Sequence, residues 1–169
     1  MKFFDNLKAD RLIKDIRSKG NPQHPQAQQA LDKLSRLGAV AIIKILETLP
    51  SASKQEIEAY IPVLAQLATS ETFHLLANSI SSADMRTKSA ICSALSLSRT
   101  YPTELLLQQL NRAGAAKASI IEIISAQKNR FGIRDLLNQA YKQKPADQAM
   151  LFRIISDIAT EKSTLELLS

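Results

Sequence analysis

The sequence has no tryptophan, one cysteine, two histidines and four glycines in 169 residues, and each shortage removes a class of structure or chemistry. Cys92 alone cannot close an internal disulfide, and with only His24 and His74 beside it the ligand set is too thin for a structural zinc site. A reducing compartment is expected, and no metal. Aromatic residues make up 5% of a chain that is 45% hydrophobic, so leucine, isoleucine and alanine must build the interior, which favours helices over sheets. No apolar run approaches transmembrane length, and Asp5, Asp10 and Asp15 interrupt the N-terminus where a signal peptide needs continuous apolar residues. A cytoplasmic protein with no membrane contact is therefore expected. Paired carboxylates, a nucleophile with its base, and a glycine-rich phosphate loop are likewise missing, so no catalytic residue and no cofactor is assigned.

What the chain does contain is a repeat. An apolar doublet recurs as Ile45-Leu46, Leu75-Leu76, Leu106-Leu107, Leu136-Leu137 and Leu167-Leu168, at spacings of 30, 31, 30 and 31 residues. Leu34, Leu64, Leu95, Ile124 and Ile155 run ahead of it in step, preceded by Ala30, Tyr60, Ile91, Ile120 and Leu151. Within each unit the apolar residues follow the i, i+3, i+4, i+7 rule of a helix face, in two stretches separated by turn signals. Ser53-Lys54-Gln55-Glu56 has the spacing of a capping box, and Pro102 and Pro145 suit the first turn of a helix. Pro62 falls inside a helical stretch and predicts a kink.

The spacing predicts one N-terminal helix over 3–18, in a segment 1–20 that packs on the first repeat, and an array over 25–169. Its helix pairs fall at 25–37 and 39–49, 53–68 and 71–81, 83–99 and 102–112, 115–127 and 132–143, and 146–159 and 163–169; the repeat units are 25–50, 53–81, 83–112, 115–143 and 146–169. Short loops make consecutive helices antiparallel. The expected fold is all-α, a right-handed α-solenoid of about five antiparallel pairs, because an amphipathic pair buries its apolar faces only by stacking on its neighbours. Asn21-Pro22-Gln23-His24-Pro25 is the irregular connection.

Asp84-Met85-Arg86 followed by Ala90, Ala94 and Leu95, and Leu37-Gly38 leading into Ala39-Val40-Ala41, resemble HEAT-like repeats of the phycobilisome-lyase type, a class common in bacterial proteins. Units four and five depart from that pattern, with Ala126-Gln127 and Ile158-Ala159 where the Leu-Gly turn would stand. The resemblance implies an armadillo-like superhelix and an interaction scaffold. It also implies that the second helix of each pair lines a concave groove.

Charge singles out one part of that groove. Residues 112–144 carry seven lysines and arginines against two acids, while 21–111 balance at seven against seven. Arg134, Asn138 and Lys142 recur at i, i+4, i+8, with Arg130 just before them, and repeat alignment sets them opposite Glu104, Gln108 and Arg112. These residues form either a docking surface for an acidic protein or peptide, or for nucleic-acid phosphates, or else an ordinary solvated face. The same alignment places Ile43, Phe73, Glu104, Arg134 and Leu165 in one row; a one-residue shift would send Phe73 to the core instead. The expected function is a non-catalytic scaffold for a protein partner, with nucleic-acid binding as the alternative. Because the repeat runs out at Leu167-Leu168-Ser169 without a polar cap, the reading also expects the N-terminal part of a longer protein, or self-association through that end.

Overall fold

The fold is described from a computed structural model, which covers residues 2–112 and 114–168, with side chains for 4–112, 114 and 116–161. Among the described residues the chain is all-helical, with no strand. The helices are α1 (Lys2–Ser18), α2 (Pro25–Leu34), α3 (Ala39–Thr48), α4 (Lys54–Leu67), α5 (Phe73–Ser79), α6 (Met85–Leu97), α7 (Thr103–Arg112), α8 (Lys117–Ala126), α9 (Ile133–Ala140) and α10 (Pro145–Leu168).

Four helix starts are set by the local chemistry that the sequence displays. Ser53 accepts from the Glu56 N–H while Glu56 accepts from the Ser53 N–H at 2.6 Å, closing the capping box that starts α4. Asp84 accepts from the N–H groups of Arg86 and Thr87 and starts α6. Gly38, at φ +59°, makes the turn into α3, where an L side chain would be strained. His24 is a cap too: its Nδ1 accepts from the Gln26 N–H ahead of α2.

One expectation changes. Helix α10 runs as a single helix where two were expected, at 146–159 and 163–169, while α4 holds Pro62 inside its span as the sequence placed it. Nothing in 159–163 resembles a turn signal; Ala159-Thr160-Glu161-Lys162 carries no glycine or proline to stop a helix.

The chain forms two compact units, Met1–Pro102 and Thr103–Ser169, so the division falls between the two helices expected as the third pair. In the first unit α1 packs on α2 and α3, α2 on α4, α4 on α6, and α3 on α5. Leu34, Leu64 and Leu95 are each fully buried, as are Tyr60 and Ile91. Helix α4 is held at its C-terminal end by side chains: the hydroxyl of Thr72 donates to the Leu67 carbonyl and that of Thr100 to the Ala68 carbonyl. In the second unit α7 packs on α8, and α10 on both α8 and α9. Here Ile120, Ile124 and Leu151 are buried, but Ile155 is only half-buried, and Ile154 and Ile158 take the core face of α10 instead.

In each apolar doublet with described side chains one member is fully buried and the other half-buried. The buried members are Ile45, Leu76, Leu106 and Leu136. One residue of the doublet points into the core and its neighbour, about 100° round the helix, lies at the edge. The doublet at Leu167-Leu168 lies outside the described side chains.

Candidate binding surface

The sequence-assigned surface residues of α7 and α9 lie in the second unit. Helix α7 buries Leu106 and Leu110 and exposes Glu104, Gln108 and Arg112 at i, i+4, i+8. Helix α9 buries Leu136 and Ala140 and exposes Arg134 and Asn138. It ends at Ala140, three residues short of the expected boundary. Lys142 therefore stands in the following turn, its N–H bonded to the Gln139 carbonyl, and not on the helix stripe.

Side-chain amides tie the two helices together. Asn111 Nδ2 donates to Gln139 Oε1 at 2.8 Å, and Asn111 Oδ1 accepts from Gln143 Nε2 at 3.1 Å. Gln143 Oε1 accepts in turn from Lys117 Nζ, which also approaches Asp147. Asn111 is thus bonded to residues 28 and 32 positions further on, either side of the 30-residue spacing by which the sequence alignment set Gln108 against Asn138.

The basic excess of 112–144 is partly consumed inside the protein. Lys117 pairs with Asp147, Lys128 with Glu161, and Arg130 donates to Gln127 Oε1 at 2.7 Å. The hydrogen bond that the Lys128 ammonium donates to Glu161 holds it above its ordinary pKa. Arg130 is half-buried and serves the turn after α8. Among the described residues, Glu104, Arg112, Arg134 and Lys142 form no ion pair, so the surface they share carries both signs of charge.

Phe73 is not a surface residue. It is 4% exposed and its ring lies 4.8 Å from that of Tyr101, so the one-residue shift is the arrangement the fold adopts. The physical reason is burial: an aromatic ring at the start of a seven-residue helix gains more from the core than from solvent. Ile43, by contrast, is 44% exposed. Leu165 lies outside the described side chains. His74 is exposed, Cys92 is half-buried and not a full core residue, and the described residues hold no group of three metal-ligating side chains.

No family model, characterised protein or solved structure matches the chain.

Two clefts were not foreseen. One, of about 460 Å³, lies in the first unit between α2, α4 and the 21–23 connection, and its walls include Asp32, Ser35, Glu58 and Pro62. The other, of about 470 Å³, lies in the second unit between α8 and α10, with Glu122, Ser125, Met150 and Arg153 among its walls. Both volumes fall in the range of ligand sites, roughly 300–1,000 Å³. Both open beside the first helix of expected pairs, whereas the resemblance placed the groove along second helices. The signal that could have found them is the repeat itself, applied to polar residues: Asp32 and Glu122, and Ser35 and Ser125, each stand 90 residues apart.

Proposed function

We propose that the chain is a right-handed α-solenoid of HEAT-like hairpins that works as a non-catalytic scaffold, holding a protein partner on the exposed face of α7 and α9. The buried positions recurring every 29 to 31 residues support the repeat, as does the packing of α2 on α4, α4 on α6 and α3 on α5 within the first unit. The observation that carries the choice of partner is the mixed sign of the face: Glu104 stands with Arg112, Arg134 and Lys142, none with an ion partner among the described residues, while Lys117, Lys128 and Arg130 are committed within the fold. A polyanion prefers a continuous run of free cations. Glutamate among arginines suits a folded or extended protein with complementary charges of both kinds. No helix among the described residues is long and apolar enough to cross a membrane.

The test is a photo-crosslinker placed at Gln108 or Asn138 in the source organism, with the adduct identified by mass spectrometry. A protein adduct that disappears in R112A/R134A/K142A is expected. A nucleic-acid adduct, with affinity falling steeply as salt rises, would establish the alternative instead.

A further inference from the structure

The two clefts are built from equivalent positions. On the first wall, Leu31 and Asp32 of α2 and Ser35, which caps it, correspond to Ile121, Glu122 and Ser125 of α8, each pair separated by 90 residues. On the second wall, Val63 and Gln66 of α4 correspond to Ile154 and Asp157 of α10, separated by 91. The chemistry recurs along with the spacing. In each cleft an aliphatic residue from either helix forms the floor, since Leu31, Val63, Ile121 and Ile154 are all buried, and an exposed carboxylate with a serine one turn on forms the rim.

Charge gives the two clefts the same sign, against that of the chain as a whole, which carries +6. Asp32 and Glu58 line the first, and among the described residues no lysine or arginine does. In the second, Glu122 and Asp157 face Arg153. Asp32 and Glu122 form no ion pair among the described residues, and the contact of Glu58 with Lys54, at 3.9 Å between two largely exposed side chains, holds it weakly. Pro62 also lines the first cleft and, having no N–H, cannot bond the Glu58 carbonyl four residues back.

An aliphatic floor under an acidic rim matches one kind of side chain, a hydrocarbon stem that ends in a cation. We infer that each cleft binds a lysine or arginine side chain of an extended protein segment, the stem lying on Leu31 and Val63 or on Ile121 and Ile154, and the cation meeting Asp32 and Glu58 or Glu122. The amides of Gln55 and Gln66, which also line the first cleft, can each donate and accept and so suit the backbone of such a segment. The first cleft, with no competing Arg153, is the tighter site. No residue of α7 or α9 lines either cleft, and the assignment does not depend on their exposed face being used.

The test uses the full chain and three fluorescein-labelled, end-capped peptides that are identical except for a central lysine, norleucine or glutamate, titrated by anisotropy. Norleucine keeps the stem and removes the charge. Expected are tighter binding of the lysine peptide than of the other two, a loss of tenfold or more in D32N/E58Q, a further loss on adding Glu122→Gln, and no change in R112A/R134A/K142A. All three carboxylates are exposed, and circular dichroism checks that the variants fold. The assignment is overturned if the wild type does not bind the lysine peptide at millimolar concentration, if norleucine binds as well as lysine, or if the carboxamide variants lose less than tenfold.

Discussion

Arg17 Nε donates to Glu56 Oε1 at 3.0 Å, and so links the last turn of α1 to a carboxylate already engaged in the capping box of α4. The same guanidinium reaches Ser51 Oγ at 2.9 Å. Glu56 therefore serves two structures at once, the start of one helix and the docking of another, and its side chain is only 14% exposed. Glu56→Ala should cost about 1–2 kcal/mol, the sum of a lost capping interaction and a lost partly buried pair. Urea unfolding of the single and double variants with Arg17→Ala measures the coupling; an additive pair would show that Glu56 acts through the cap alone.

Tyr60 is fully buried and its hydroxyl has no hydrogen-bond partner among the described residues. Burial, reinforced by the nearby Glu56 charge, pushes its pKa from 10.0 to about 12. A phenol whose pKa is higher folded than unfolded binds more protons folded, so its contribution to stability is complete below pH 10 and is lost as pH rises from 10 towards 12. Alkaline unfolding should be shifted to higher pH in Tyr60→Phe, which cannot ionise. At neutral pH the same variant should be neutral or slightly stabilised, because no hydrogen bond is lost. Tyr101→Phe is the contrast: its hydroxyl donates to the Leu95 carbonyl at 2.6 Å, and its removal should cost about 1 kcal/mol.

Pro62 stands exposed in the middle of α4. An interior proline costs a helix about 3 kcal/mol, offset in part by the stiffness it gives the unfolded chain, so Pro62→Ala should stabilise the first unit by roughly 1–2 kcal/mol. Differential scanning calorimetry checks this through the melting temperature. An unchanged or lower value would mean that the helix is already adapted around the ring.

The Asp84 carboxylate is held below its ordinary pKa, chiefly by the hydroxyl of Thr87 and then by the Thr87 N–H. A carboxyl with a depressed folded pKa contributes stability above its unfolded pKa and loses it as pH falls through the folded value. Acid titration of Asp84→Asn, followed by helical circular dichroism, should show a smaller loss of stability below pH 4 than the wild type. Thr87→Val should move the acid transition to higher pH, since the larger of the two hydrogen bonds is gone.

The buried positions were legible because aliphatic residues are costly to misplace: Leu34, Leu64, Leu95 and Ile124 stand where a packed interior requires them, and each has no exposed surface. Caps were legible for a similar reason, since an unpaired backbone N–H demands a nearby acceptor, and Ser53, Glu56 and Asp84 supply it from adjacent positions. The charged face of α7 and α9 was legible as a set of residues, but how many of the segment's cations it keeps was not. Only folding brings Asp147 to Lys117 and Glu161 to Lys128, removing cations that the linear count had assigned to the surface.

Thus local pattern and burial, which act through neighbours a few residues apart, determined the helices, their caps and their buried faces from the sequence alone. Tertiary structure decided what depends on the meeting of distant segments. It sent Phe73 inward against Tyr101 and opened clefts between α2 and α4 and between α8 and α10. A cleft is the space two helices leave between them, and neither helix specifies that space by itself.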